Sequence, residues 1–110
     1  MNTIFHIDEP TKWPMIFSNV PHMHEWMIAN NDPGKIEVLV NGEAITKTTQ
    51  SSDIDLNQLI KLGVEVAVCN NSMNQRNITK DDLQPGLTIV PVGVVELAQK
   101  QQQGYSYIRP

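Results

Sequence analysis

The sequence predicts an α/β fold, a three-layer α/β/α sandwich around a mostly parallel sheet of about five strands. Short apolar segments alternate with segments of helical periodicity, and this alternation forms four strand–helix units. The segment Val64–Cys69 is apolar almost throughout, as expected for a strand covered on both faces. A chain of 110 residues accommodates one domain with one core. We therefore expect a single domain over residues 1–110, with helices on both faces of the sheet.

The first unit combines a short strand with a long amphipathic helix. Residues 3–7 alternate weakly and predict the strand. Thr11 is the predicted cap of the helix. Pro21 removes a backbone donor within it, which predicts a kink, or a restart capped by Ser18 or Asn19. The apolar face of this helix has steps of three and four and consists of Trp13, Ile16, Phe17, Val20, Met23 and Met27.

The second unit contains the clearest strand, residues 35–41, which is rich in β-branched side chains. Residues 46–53 are polar and predict a loop. A helix over residues 54–62 follows, and Ser52 or Asp53 is its predicted cap.

The remaining units predict a buried strand, a short helix, a single helical turn, a strand, a helix and an edge strand. These elements cover residues 64–69, 70–76, 79–82, 87–90, 94–103 and 105–108. Thr79 and Asp82 have the spacing of a capping box. Glu96 and Lys100 are four residues apart, which favours an ion pair along the last helix.

Composition excludes several classes of partner. Eight Lys and Arg residues against 12 Asp and Glu give a formal charge of −4, which argues against nucleic acids and anionic membranes as partners. The sequence contains neither a run of roughly 18 apolar residues nor the pattern of a signal peptide, so we expect a soluble cytoplasmic domain. Its single cysteine excludes an internal disulfide. Because so small a core is marginal, we expect self-association.

The candidate site lies where the predicted parallel strands end, since open α/β sheets bind ligands at the carboxyl ends of their strands. The candidate residues at these ends are Asn41, Gly42, Glu43, Cys69, Asn70, Asn71, Ser72 and Gly93. Cys69 immediately precedes a predicted helix, whose free N–H groups favour a thiolate, and Arg76 adds positive potential. The alternative is a structural role for Cys69, because free cysteine is among the most buried residue types.

Other chemistries lack their sequence signatures. The chain contains no dinucleotide-binding, P-loop, hydrolase-elbow or zincin motif. His22 and His24 are two residues apart, so on a helix they point about 200° apart and do not share an ion without distortion. We therefore predict neither a metal site nor a cofactor.

Several ordered segments carry a resemblance to a known family. They are residues 36–45, 63–73, 90–97 and 104–110. Together they resemble the DsrE/DsrF-like family, which has the YchN-like fold; the resemblance covers residues 3–110 and is strongest from residue 63 onward. It implies an α/β/α domain that assembles into homotrimers or homohexamers. In the sulfur-relay members a cysteine after the third strand carries a persulfide between partner proteins, and Cys69 matches that position. Pro21 departs from the family pattern.

Two functions follow as hypotheses. In the first, Cys69 takes sulfur from a donor persulfide and passes it to an acceptor thiol, with the backbone amides of Asn70, Asn71 and Ser72 stabilising the anion. In the second, the chain is a non-catalytic oligomeric binding or scaffold protein. Cys69 then belongs to the core, and the edge formed by Gly42, Asn70 and Gly93 binds a small ligand or nothing.

Overall fold

Five parallel strands form one sheet at the centre of the molecule. The computed structural model describes residues 1–110. The strand order across the sheet is β4-β3-β2-β1-β5, and every neighbouring pair is parallel. The strands are β1 (Thr3–Ile7), β2 (Ile36–Val40), β3 (Glu65–Cys69), β4 (Thr88–Val90) and β5 (Ser106–Ile108). The predicted fold class is confirmed, and the last strand lies at an edge of the sheet as expected.

Helices cover the two faces of the sheet unequally. The helices are α1 (Trp13–Ala29), α2 (Asn57–Ile60), α3 (Asn70–Gln75) and α4 (Gly93–Gln102). Side chains of the first three pack into one large apolar cluster with Phe5, Val38 and Val66 of the sheet. The opposite face carries a smaller cluster, in which Leu97 of α4 packs against Ile4, Leu39, Ala67 and Val90. One helix therefore covers the second face.

The register of the sheet brings the strand ends together. Ile7 pairs with Val40, Val40 pairs with Val68, and Cys69 pairs with Val90. The N–H of Asn41 donates to the carbonyl of Ile7 and extends this pairing by one residue. The carboxyl ends of β1 to β4 consequently lie along one edge, where the candidate residues were expected.

Helix α1 overturns one of the two alternatives expected at Pro21, the restart of the helix. It runs without interruption from Trp13 to Ala29 and does not restart at Ser18 or Asn19. Thr11 lies in a 3₁₀ turn, Pro10–Lys12, and makes no capping hydrogen bond. Four side chains of the helix are buried against the sheet, and their burial outweighs the one backbone hydrogen bond that proline removes. The buried residues are Trp13, Ile16, Val20 and Met27.

The helix predicted over residues 54–62 is much shorter. It is reduced to α2, and neither predicted residue caps it, because Asp55 Oδ1 accepts the Asn57 N–H at 3.0 Å. Ser52 Oγ instead accepts the N–H of Ile54 at 3.2 Å. Asp53 pairs with Lys47 at 2.7 Å.

The loop predicted over residues 46–53 is anchored by Gln84. Its side-chain amide donates to the carbonyls of Thr49 and Ile54, and its Oε1 accepts the N–H of Leu56. A 3₁₀ turn, Gly42–Lys47, overlaps the start of this segment. The side chain that fixes the loop is thus about thirty residues away in sequence.

The capping box is confirmed, whereas the predicted ion pair along α4 is wrong. The Asp82 carboxylate accepts the N–H of Thr79 at 2.8 Å. Lys100 forms no ion pair with Glu96, and its Nζ lies 3.6 Å from Oε1 of Glu37 on β2. Glu37 is 1% exposed. Once its carboxyl is ionised, the burial of Glu37 makes it a stronger electrostatic partner for Lys100 than a solvated carboxylate is.

None of the four helices has both the length and the apolar character needed to cross a membrane.

Glu37 gives a testable dependence of stability on pH. Burial, together with the nearby Glu96 and Glu65, raises the pKa of its carboxyl to about 8, against the opposing effect of Lys100. The folded state therefore holds this proton more tightly than the unfolded chain does, and the stability it contributes below pH 4.5 is lost as the pH rises through about 8. Urea denaturation should show wild type losing stability relative to Glu37→Gln across that window.

Glu25→Gln is the matched control, since Glu25 is exposed on α1. Its stability should follow wild type at every pH. A constant difference between wild type and Glu37→Gln would contradict the assignment.

Candidate functional site

Cys69 lies at the junction of a strand and two helices. It is the last residue of β3 and the N-cap of α3, and its Sγ accepts the N–H of Ser72 at 3.5 Å. The same sulfur accepts the N–H of Gly93, the first residue of α4, at 3.2 Å. The side chain is 4% exposed. A thiol here occupies the capping position that Ser, Thr, Asp or Asn normally occupies.

The surroundings of Cys69 favour the thiolate. Burial raises the pKa of the thiol, but hydrogen bonds from the Ser72 hydroxyl and from the N–H groups of Ser72, Gly93 and Asn71 lower it, and their sum leaves the pKa below its ordinary value. Free N–H groups at helix starts carry partial positive charge, so they stabilise an anion more than a neutral thiol. The sulfur is therefore a hydrogen-bond acceptor surrounded by backbone N–H donors, an arrangement that suits an anion.

The lack of a side chain at Gly93 favours the close approach of its N–H to Cys69. A Cβ at this position would lie 3.2 Å from Cys69 Cβ and from Leu39 Cδ1, and 3.5 Å from Asn41 Cβ. The two distances of 3.2 Å are tighter than ordinary van der Waals contact, and the third is an ordinary contact. The missing side chain therefore lets the start of α4 approach the ends of β2 and β3 closely enough to donate to the sulfur.

Gly42 joins the same site from the other side. Its N–H donates to Ser72 Oγ at 3.0 Å, which leaves the Ser72 hydroxyl proton free to stabilise Cys69. Its φ is +57°, and a Cβ would lie 3.2 Å from the carbonyl oxygen of Asp8. Both the left-handed backbone and the close approach favour glycine.

Glu43 and Arg76 form a separate ion pair at the rim. The guanidinium donates to Glu43 Oε1 at 2.8 and 3.1 Å, and its Nη1 donates to the carbonyl of Ser72 at 3.2 Å. Arg76 is therefore neutralised by a carboxylate instead of supplying the free positive potential expected near Cys69. Arg76 thus connects Glu43 to the Ser72 carbonyl in α3.

The predicted residues thus divide into three groups. Backbone and side-chain contacts connect Cys69, Ser72 and Gly93 directly, and Asn41 and Gly42 flank them. Glu43 faces Arg76. Asn70 and Asn71 belong to the first turn of α3. The N–H of Asn71 contributes to the lowered pKa of the Cys69 thiol.

A hydrogen-bonded chain on β1 and β5 was missed by sequence reasoning. His6 Nε2 lies 2.9 Å from Asn41 Oδ1, and His6 Nδ1 lies 2.6 Å from the Tyr107 hydroxyl. Arg109 donates to both carboxylate oxygens of Asp8 at 2.9 and 3.1 Å. His6 and Tyr107 are 101 residues apart, so only the pairing of β5 with β1 reveals them.

The fold and the site define a small α/β/α domain with one cysteine enclosed by two helix starts at the carboxyl edge of a parallel sheet. The family model described as the DsrE/DsrF-like family matches residues 35–110, more than two thirds of the chain. The chain therefore belongs to the DsrE/DsrF-like family, as its sequence resemblance indicated. No curated protein matches it.

Solved structures share the fold over nearly the whole chain. A protein of unknown function from Methanobacterium thermoautotrophicum, MTH1491, is 27% identical with a TM-score of 0.88, and the match covers 99% of this chain and 98% of that one. The YchN protein from E. coli is 18% identical, with complete coverage of both chains and a TM-score of 0.72. BT1422 from Bacteroides thetaiotaomicron, also of unknown function, is 9% identical, with 99% and 94% coverage and a TM-score of 0.78.

The Cys69 environment predicts a thiol titration below the ordinary pKa of 9.0. Ultraviolet absorbance of the thiolate, followed against pH in the folded protein, should give that lowered midpoint. Ser72→Ala should raise it, because the variant removes the hydroxyl that stabilises the anion. Ser18→Ala, on the exposed side of α1, should leave it unchanged. A wild-type midpoint at or above 9.0, or no change in Ser72→Ala, would contradict the electrostatic account.

Proposed function

We propose that this chain is a sulfur carrier that holds sulfur as a persulfide on Cys69. The observation that carries the proposal is the pair of backbone N–H groups, from Ser72 and Gly93, that donate to one sulfur. Family membership supports it, because the sulfur-relay members of this family carry sulfur on a cysteine at the corresponding position. The reaction suits the cytoplasm, where a lone cysteine stays reduced.

The transfer is two successive displacements at sulfur. The Cys69 thiolate attacks the outer sulfur of a donor protein's persulfide, the donor S–S bond breaks, and the donor's inner sulfur leaves as a thiolate with the bonding pair. Cys69 then holds the outer sulfur. An acceptor protein's thiolate attacks that sulfur, and Cys69 leaves as the thiolate it was initially. In the first step the donor persulfide is reduced to a thiol and Cys69 becomes a persulfide. In the second step the acceptor becomes the persulfide and Cys69 returns to the thiolate.

The hydrogen bonds at Cys69 serve both steps. In the first they keep the attacking sulfur deprotonated, and in the second they stabilise it as the leaving group. Nucleophilicity falls as pKa falls, so the arrangement favours release of sulfur more than its capture. Because Cys69 is 4% exposed, transfer also requires the first turns of α3 and α4 to move apart when a partner binds.

A structural role for Cys69 is the second candidate function, and the same burial favours it. A buried thiol that caps α3 stabilises the fold without any chemistry. The chain would then act as an oligomeric binding or scaffold protein, with a small ligand or none at the edge formed by Gly42, Asn70 and Gly93. This alternative requires Cys69 to stay unmodified in the folded protein.

Mass spectrometry of the intact protein separates the two functions. After incubation with a persulfide donor, wild type should gain the mass of one sulfur atom and lose it again to an added thiol. Cys69→Ala should gain nothing. Ser72→Ala, which keeps the thiol but loses a stabilising hydroxyl, should lose its sulfur to the added thiol more slowly than wild type, because Cys69 becomes a poorer leaving group. Wild type that remains unmodified, while a reference thiol of low pKa is modified, would favour the scaffold function.

The proposed carrier is a homotrimer or homohexamer whose subunits meet at the α4 face of the sheet. A single helix covers this face, and apolar side chains on or beside it are exposed: Val92, Val94, Val95 and Tyr107. Helix α1 also exposes apolar side chains, Met15, Trp26 and Ile28. Exposed apolar side chains at the start of α4 are typical of a protein contact surface. A second copy of the chain is the proposed occupant, since the family resemblance implies assembly and a domain this small gains stability from it.

Sedimentation equilibrium at micromolar concentration tests the assembly and its location. Wild type should sediment as three or six chains, and Val94→Asp should dissociate because it places a charge on an apolar contact. Ile28→Asp is the control, since Ile28 is comparably exposed at the end of α1, on the other face. A monomeric wild type, or a Val94→Asp variant that assembles normally, would contradict the proposal.

A further inference from the structure

Three glutamates converge on the α4 face of the sheet, away from Cys69. Glu37 on β2 and Glu65 on β3 are register partners, and Glu96 reaches them from α4. One carboxylate oxygen from each lies within 4.8 Å of the others. Like charges directly opposite on neighbouring strands destabilise a sheet, so this arrangement calls for a compensating positive charge.

The chain's own cation compensates only part of this charge. Lys100 Nζ lies 3.6 Å from Glu37 Oε1, and the same ammonium lies 5.0 Å from the centroid of the Tyr105 ring. Binding of a cation requires Glu37 to be ionised, and one ammonium against three ionised carboxylates then leaves two negative charges.

Glu37 is the second, independent sign of a missing partner. Its side chain is 1% exposed, and both carboxylate oxygens are buried without a hydrogen-bond partner. Buried polar atoms in folded proteins are almost always partnered, and an unpartnered pair on one carboxylate is costly. These oxygens face the other two glutamates, so the partner they lack belongs in the space between the three.

We propose that Glu37, Glu65 and Glu96 form a binding site for one hard divalent cation, each giving one oxygen ligand. Oxygen ligands at roughly 2.0–2.6 Å from an ion lie at most about 5 Å apart, so the observed spread of oxygens fits around one ion with small adjustments. An all-carboxylate set selects Mg²⁺, Mn²⁺ or Ca²⁺ over softer metals. The two positive charges of the ion balance the two negative charges that Lys100 leaves unneutralised.

The site has a route to solvent and a structural consequence. Glu65 is exposed and Glu96 is partly exposed, so the ion enters from the surface and water completes its coordination. An ion held here ties α4 to β2 and β3 three residues after Gly93. Binding therefore stabilises the docking of α4 on the sheet.

Titration of Mn²⁺ into the full chain tests the site, with free Mn²⁺ followed by electron paramagnetic resonance. We expect one Mn²⁺ bound per chain, displaced by Mg²⁺ or Ca²⁺. Glu65→Gln and Glu96→Gln should each weaken binding at least about tenfold, since even residues behind the ligands have effects of that size. Glu25→Gln, an exposed carboxylate on the other face, should bind as wild type does. Lys100→Gln should bind more tightly, because it removes a competing positive charge.

Thermal denaturation supplies a second readout. Mn²⁺ should raise the melting temperature of wild type and leave that of Glu96→Gln unchanged. Glu65 is exposed, so the Gln variant at that position folds and reports on binding alone. Absence of Mn²⁺ binding to wild type would overturn the proposal. So would equal affinity in wild type, Glu65→Gln and Glu96→Gln, because the ion would then be held elsewhere.

Discussion

The sulfur of Cys69 accepts hydrogen bonds from the first turns of two helices, and the geometry of the carboxyl edge depends on that double contact. The Ser72 donor is local, since α3 begins directly after β3. The Gly93 donor is not, since it requires α4 to dock with its first residue against the ends of β2 and β3. Gly93 permits that approach, and Gly42 holds Ser72 in place from the far side. Each contact favours the thiolate, so the fold and the pKa of Cys69 are linked.

The two faces of the sheet differ in composition. The face covered by α1, α2 and α3 contains the large apolar cluster of 18 buried residues. The α4 face carries the polar groups, because alternate residues of a strand point to the same side. Along β3 this face presents Glu65, Ala67 and Cys69, so the carboxylate cluster and the thiol lie at opposite ends of one strand. A single helix, α4, contacts both.

Sequence reasoning predicted the architecture because strand and helix periodicities here are distinct and separated by turns. It located the carboxyl edge for the same reason, since strand ends are visible as apolar segments followed by Asn41, Cys69 or Val92. Errors arose where distant contacts decide local structure. Burial of α1 overrides Pro21, and Gln84 organises a loop far from it in sequence.

Two groups of side chains were not predicted from the sequence, the His6–Tyr107 pair and the three-glutamate cluster, and in both the strand order brings distant residues together. His6 meets Tyr107 because β5 lies beside β1, and Glu37 meets Glu65 because β2 lies beside β3. Glu96 was assigned to Lys100 on helical spacing, although Lys100 lies against Glu37. Spacing within one element carries no information about a cluster that three elements build, so neither group was predictable from local pattern.

The most direct measurement for the central claim is a pH titration of the backbone amides by ¹⁵N nuclear magnetic resonance. If one thiolate accepts from both helix starts, the N–H signals of Ser72 and Gly93 should shift with a single shared midpoint below 9.0. Both shifts should vanish in Cys69→Ala. A Gly93 amide that does not respond to pH, or that responds equally in Cys69→Ala, would contradict the account, because α4 would then not donate to the sulfur.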